Sequence, residues 1–231
     1  SDKFSKGSDS GKDIIVPFLH HKGVSSLDAL IITHADKDHF GGAISLLKEF
    51  PVKEIWLSEC SLKEDKDLWK QLLAEASRRE IPLRDIHRGF IWKERFFELW
   101  TLHPDTTRCN DVNAQSITLR AMGLGHSALL TGDLTVQGEK EILKSGVYLK
   151  SDILKLGHHG SKTSSSKEFL RRVQPRQAII SSGRRNRFRH PHKQVIQRLD
   201  TLDIPYLNTA EKWTIYITFS KDSIQVHTML E

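Results

Sequence analysis

The tightest constraint on this chain lies in one short stretch, Thr33-His34-Ala35-Asp36-Lys37-Asp38-His39-Phe40-Gly41-Gly42. Four side chains able to bind a cation, His34, Asp36, Asp38 and His39, fall within six residues of one another. They follow the apolar, β-branched run Leu27-Asp28-Ala29-Leu30-Ile31-Ile32, which reads as a buried strand, and precede a segment of helical period beginning at Gly41. On extended backbone, residues 34 and 36 point to one side, while 38 and 39 occupy the turn that follows. Such a set can grip two cations a few ångströms apart. The Gly-Gly pair lets the chain reverse into the helix without a Cβ clash. A lone histidine is most often a satisfied core or surface residue, but this density of ligand types at a strand end is a metal-binding pattern.

Two later segments have the same character. Leu129-Leu130-Thr131-Gly132-Asp133 sets a carboxylate just past an apolar run, where it serves either as a metal bridge or as an ordinary turn aspartate. Leu154-Lys155-Leu156-Gly157-His158-His159-Gly160-Ser161 sets a histidine pair at the end of another. Strand-like and helix-like segments alternate along the chain, so the class is α/β. Helices are expected over 41–47, 64–79, 139–143, near 169–170 and over 195–202. In the second of these, Leu68, Trp69, Leu72, Leu73 and Ala76 share one face, with Lys66, Lys70 and Glu75 off it. Strands are expected at 55–57, 96–100, 152–156, 178–180, 213–219 and 224–227, with a hairpin of 116–120 and 128–131 about Gly123-Leu124-Gly125. The run of strands in the middle predicts two mixed sheets packed face to face with helices outside.

Composition removes the other classes. With 38% apolar and 28% charged residues in 231, the chain can bury a core and is read as one domain over 1–231, with residues 1–12 a loop or disordered start. No apolar run reaches the roughly eighteen residues of a membrane helix. Two cysteines, Cys60 and Cys109, do not make a disulfide scaffold, though they are able to pair once. The net charge of +6 is concentrated: the run from Arg184 to Lys193 holds five cations and no acid, leaving 6 − 5 = +1 elsewhere. That run fits a phosphate-rich partner, and it equally fits a solvated basic loop.

Taken together, His-x-Asp-x-Asp-His-x-Gly-Gly, Leu-Thr-Gly-Asp, Leu-Lys-x-x-His-His-Gly-Ser-Lys-Thr-Ser-Ser-Ser and His190-Pro191-His192 resemble the metallo-β-lactamase superfamily. More narrowly they resemble the C-terminal domain of ComEC-type DNA-uptake competence proteins, from about Gly11 to the C-terminus. The resemblance implies an αββα sandwich of two mixed sheets flanked by helices, with a two-metal site on the sheet edge. It implies metal-ligand roles for His34, Asp36, Asp38, His39, Asp133 and His158, with His159 as a catalytic or ligand-orienting neighbour. The opening strands of the family, with Asp-Val-Gly-Gln-Gly-Asp, are not present, so one sheet is expected to expose an edge. The further histidine ligand common in the superfamily has only His87, His103 and His126 as candidates. His126 reads as solvent-exposed and His103-Pro104 as a strand end. The family's Asn…Ser signature is matched by Asn113 (or Asn110) and Ser116.

Asp36 stands where many superfamily hydrolases carry histidine. A carboxylate hardens the site, which shifts preference from Zn²⁺ toward Mn²⁺ or Mg²⁺. The expected chemistry is attack of an activated water on a phosphodiester, with two divalent ions, Asp38 orienting the nucleophile, and His190 or His192 serving the leaving oxygen or the phosphate. Ser161, Lys162, Arg187, Arg189, His192, Asn113 and Ser116 are the expected substrate contacts, with Lys155 a further phosphate candidate and Phe188 available to stack on an unpaired base. The expected partner is DNA, in single-stranded form, during uptake. By resemblance the domain is attached to a membrane channel on the outer side of the cytoplasmic membrane. A hydrolase of a small phosphoester, lactone or thioester, and a catalytically weak DNA-binding module, are the alternatives.

Overall fold

Ile55-Trp56-Leu57 is apolar on both faces and buried throughout, the signature of a strand covered on two sides. In the computed structural model, which describes residues 9–105, 109 and 111–229, it is the centre of a small parallel sheet. The chain forms two compact units.

The first unit takes in the described residues of 4–86 and 105–112. A single π-helical turn, Gly11–Ile15, leads into α1 (Val16–His21), so residues 11 and 12 are helical where a loop is expected. Then follow β1 (Leu30–Ile31), α2 (Lys37–Phe40), α3 (Ala43–Glu49), β2 (Ile55–Leu57), α4 (Glu59–Leu62), α5 (Asp67–Arg78) and β3 (Leu83–Asp85). The three strands run parallel in the order β1-β2-β3. Phe40 packs edge-on against Trp69 at 4.9 Å, which fixes α2 to the buried face of α5. Glu75 departs from its expected place off the apolar face: it is buried, and Arg78 and Arg79 each donate to its carboxylate at 2.6 Å. Gly42 serves packing rather than chain reversal, since its φ is −85° and a Cβ there would meet Gly11 N at 2.6 Å. Cys60 and Cys109 form a disulfide across a separation of 49 residues, which ties Cys109 to α4 within this unit.

The second unit takes in the described residues of 87–104 and 113–231. It contains β4 (Ile91–Glu94), β5 (Phe97–His103), β6 (Thr118–Gly123), β7 (His126–Leu130), α6 (Val136–Lys144), β8 (Ile153–Lys155), α7 (Lys167–Val173), β9 (Gln177–Ile180), α8 (Lys193–Thr201), β10 (Tyr206–Asn208), α9 (Thr209–Lys212), β11 (Ile215–Phe219) and β12 (Ile224–Thr228). Seven strands line up as β10-β9-β8-β7-β6-β5-β4. β4 to β7 are antiparallel, with short turns joining β4 to β5 and β6 to β7 and the longer connection 104–117 joining β5 to β6, while β7 to β10 are parallel, as their helical crossovers require. Leu129, Leu154, Ala178 and Ile180 from these strands pack with Ile142, Phe169, Val195 and Leu199 from α6, α7 and α8. The hairpin turn is tighter than expected. Leu124 and Gly125 both adopt positive φ (54° and 83°), and Gly123 pairs with His126, a two-residue turn matched to strand twist.

Two mixed sheets were the expectation; the described residues give one all-parallel sheet, one mixed sheet and a separate antiparallel pair, β11–β12. α1, β3, β4 and β10 carry no clear period in the sequence, and β3 is exposed along its length. Among the described residues, no helix is long and apolar enough to cross a membrane.

Closing a 49-residue loop by the disulfide should contribute about 4 kcal/mol through the unfolded chain. Reduction, or Cys60→Ser, should therefore lower the urea midpoint clearly; an unchanged midpoint would show that the bridge restrains nothing. Acid should act through Glu54 and Glu75. Bonds from Arg84 to Glu54, and from Arg78 and Arg79 to Glu75, bring each carboxyl down to about 2. Their stabilisation is complete above the ordinary glutamate value of 4.5 and drains away as the pH falls toward about 2. Melting curves across that interval should show a smaller pH dependence for Glu75→Gln than for the parent.

Candidate metal centre

In the first unit the donors are grouped by the exit from β1. Ile32 and Ala35 are buried, and His34 is drawn in with them to 1% exposure. Asp36 then opens α2 as its N-cap, its carbonyl accepting from His39 N at 2.9 Å and Phe40 N at 3.2 Å. An N-cap aspartate ordinarily accepts a backbone N–H through its side chain. Asp36 makes no such bond. Its Oδ1 instead meets Lys66 Nζ at 2.6 Å, and its Oδ2 lies 3.7 Å from His34 Nε2. The His34 and His39 rings lie 4.1 Å apart, and Asp38 Oδ2 is 4.0 Å from His39 Nε2. All four sequence-predicted donors of this motif therefore belong to one cluster.

Thr33 organises that cluster. Its Oγ1 lies 3.0 Å from His34 Nδ1 and 3.4 Å from His39 Nδ1. A hydroxyl oxygen has two lone pairs and can accept from both rings, which turns each Nε2 toward the carboxylates.

In the second unit the donors follow from strand register. Leu130 of β7 pairs with Lys155 of β8, which pairs with Ile179 of β9, all parallel. Three carboxyl ends therefore lie side by side, followed by Asp133, by His158 and His159, and by Ser181. Asp133 is 3% exposed, and its N–H donates to Ser116 Oγ at 3.1 Å. Lys155 donates to Gly132 O at 2.7 Å and lies 3.8 Å from Asp133 Oδ1, so it braces the aspartate turn. His158, His159 and Gly160 all have positive φ (46°, 55° and 82°). Two consecutive non-glycine residues in that region cost roughly 1–2 kcal/mol each, strain of the kind that functional sites retain. The result points both imidazoles toward Asp133. His159 donates its Nδ1–H to Ser181 O at 2.7 Å and brings Nε2 to 3.4 Å from Asp133 Oδ2. His158 is the more distant, at 3.9 Å, with its Nδ1 3.3 Å from Thr163 Oγ1.

The loop after the histidines is clamped from two sides. Glu139, buried and with its carboxyl pushed up by that burial, accepts from Ser165 N and from Ser166 N. Arg198 Nη1 donates to Ser164 O at 2.7 Å and Ser165 O at 3.1 Å. Ser161 is buried and bonded to Thr163, and Ser116 is wholly buried, so both shape the loops beside Asp133 and His158. Asn113 sits half-buried in the turn before Ser116, while Asn110 lies outside the described residues. Lys162 is exposed, and its N–H donates to His192 Nδ1 at 3.1 Å, which leaves the His192 proton on Nε2.

His190 stacks between Phe188 (5.7 Å, 21°) and His159 (6.3 Å, 18°), and lies 5.7 Å from His158. Burial, with His192, His158 and His159 around it, brings His190 down to about 4. Asn186 holds this loop closed by accepting from His190 N at 2.8 Å and donating to His190 O at 2.7 Å. Arg187 and Arg189 are exposed on it. Of the remaining histidines, His126 is half-buried with its ring 5.8 Å from Phe219, where an exposed residue was expected. His103, fully buried, lies 2.8 Å from Ala114 O, and His87 is exposed. Thr33 and Ser181 went unrecognised as site residues; Thr33 adjoins the motif, whereas Ser181 acts through a carbonyl and leaves no mark in sequence.

Comparison with known proteins places the family. Residues 7–107 match the family model of the metallo-beta-lactamase superfamily. ComE operon protein 3 of Bacillus subtilis is 38% identical over 89% of this chain, and competence protein ComA of Neisseria gonorrhoeae is 35% identical over 84%. The chain spans about a quarter of the length of each, 26% in both cases. Among solved structures, a metal-dependent hydrolase of the beta-lactamase superfamily, Tm1679, matches with a TM-score of 0.56 at 13% identity, over 87% of this chain and 84% of that chain. At that identity the likeness is one of fold alone. By fold and by sequence, then, the chain is a metallo-β-lactamase superfamily domain whose curated relatives are competence proteins of the ComEC type.

Proposed function

We propose that this domain is a metal-dependent phosphodiesterase that cleaves DNA during its uptake. The observation that carries the reading lies in the second unit. The arginine loop is stacked, through Phe188 and His190, directly onto the histidine pair beside Asp133. A basic surface and a candidate catalytic cluster thus form one continuous structure, as a nucleic-acid hydrolase requires.

His34, Asp36, Asp38 and His39 are read as the metal ligands of the first unit, and Asp133 with His159 as those of the second. His159 is preferred to His158 as ligand, because its Nδ1 is committed to Ser181 O and its Nε2 lies nearer the aspartate. The donors suit two hard divalent ions, Mn²⁺ or Mg²⁺ before Zn²⁺, since carboxylates balance imidazoles. Such ions would supply Lewis acidity at the phosphoryl oxygens and make hydroxide available near neutral pH. The residues of the chain do the rest. Asp38 orients the nucleophile; His192 offers Nε2–H to a phosphate oxygen; Lys162, Arg187 and Arg189 hold the flanking backbone. His190 is read as serving the leaving oxygen. Ser116, Ser161 and Asn113 act by placing Asp133 and the His158 loop.

The names of the relatives, and their greater length, support action beside a membrane channel portion of a longer protein. The disulfide supports an oxidising location, on the outer side of the cytoplasmic membrane.

A cleavage assay on labelled single- and double-stranded DNA over a Mn²⁺, Mg²⁺ and Zn²⁺ series tests the function. Manganese should activate most. Asp133→Asn should lose at least about a hundredfold in rate together with bound metal, and Thr33→Val about 10- to 100-fold in metal affinity. No cleavage with any ion, by protein shown to hold metal, would sink the nuclease reading. Replacing Arg187 and Arg189 by alanine should cripple DNA cleavage and spare a small chromogenic phosphodiester. The slope of log affinity against log salt should also fall by about one for each arginine lost. Equal loss on both substrates would assign that loop another role.

A further inference from the structure

Two large aromatic rings stand in solvent around the arginine loop: Phe188 is 58% exposed and Trp213 53%. Each lies under a guanidinium, Arg187 at 4.7 Å from the Phe188 centroid and Arg184 at 5.2 Å from that of Trp213. The loops that carry them are joined at their roots. Ser182 N donates to Thr209 Oγ1 at 3.0 Å, Ser182 Oγ to Asn208 Oδ1 at 2.8 Å, and Thr209 Oγ1 returns a bond to Ser182 O at 2.9 Å. Asn208 also caps α9, which ends at Trp213.

Trp213 has φ 62° and ψ −113°, a conformation that a bulky L-residue adopts only under constraint. The fold therefore holds an indole in a strained backbone without burying the ring. The backbone there is pinned by the Trp213 N–H, which donates to Thr209 O at 3.0 Å, so the exposed ring has a fixed base.

We propose that Trp213 and Phe188 are paired stacking platforms for unpaired bases of a single-stranded nucleic acid. Arg184 and Arg187 leave the rings for the phosphates when bases arrive. The proposal rests on the nuclease reading for its setting and deepens it by naming the strand form. Phosphates of a duplex and of a single strand attract the arginines alike, so charge alone selects little between them. Stacking is different: duplex bases already stack on each other, and only an unpaired base offers a free face. A base on Phe188 continues the ring series through His190 to His159, which brings its phosphate to the histidine pair. Trp213, which the sequence did not mark, receives a second base of the same strand.

Binding measured by fluorescence anisotropy in EDTA, where no cleavage occurs, tests this separately from catalysis. The probes are one single strand, its duplex, and a strand of equal length lacking bases. Trp213→Ala should weaken single-strand binding at least about fivefold, with little change for the duplex or the abasic strand. Trp213→Phe should restore most of the loss. Should the alanine variant fail to fold, the parent protein still decides: it must bind the abasic strand more weakly than the normal one. Equal affinity for those two strands, or a uniform loss across all three probes, overturns the proposal. A protein that cleaves nothing but shows this pattern loses the nuclease reading and keeps the platforms. One that cleaves DNA without the pattern keeps the nuclease reading and loses them.

Discussion

A histidine that offers Nε2 to a cation must place its Nδ1 proton on some other acceptor, and the positions of those acceptors decide where each ring can look. In this chain the acceptors are Thr33 Oγ1, beside both His34 and His39, and Ser181 O, beside His159. Each is fixed by secondary structure rather than by the site itself. Thr33 follows the short strand β1, and Ser181 follows β9, whose register with β8 and β7 sets three strand ends level. The orientation of the donors is thus a consequence of sheet geometry. Ligand groups borne on flexible loops would have to lose that freedom on every binding event.

Close packing supports the same residues from behind. Ser116, out of solvent, receives the Asp133 N–H; Gly42 lets the first helical turn approach the Asp36–His39 motif; Glu139 and Arg198 hold the loop after His159 between them. Buried polar groups are costly unless bonded, and here their bonds run to the backbone of the loops that carry Asp133 and follow His159. The energy of burial is thereby coupled to loop shape. Two consecutive left-handed histidines persist because the surroundings over-determine them.

Charge follows the same division between framework and surface. In the first unit, acidic groups are met close at hand, Glu75 by two arginines and Asp36 by Lys66. The arginine loop itself carries no acid in residues 184–193, and two of its guanidiniums rest on aromatic faces. A cation over a ring is held by a modest attraction and released readily to an anion.

Much of this was legible in the sequence, because ligand chemistry and β-branched patterning are local. The density of donors in His34 to His39, the carboxylate after Leu130, the His158–His159 pair, and the alternation of strands with helices needed no coordinates to find. Other features depend on residues far apart in the chain, and no local pattern encodes them. Tertiary structure alone decided that Glu75 turns inward to two arginines, that Cys60 and Cys109 meet, and that Ser116 braces Asp133 instead of facing solvent. It also set His159 nearer the aspartate than His158, because left-handed turns and a carbonyl from the next strand aim the rings. Residue identity states which atoms are able to bind; only the register of parallel strands, fixed by hydrogen bonds across the sheet, states which of them can meet.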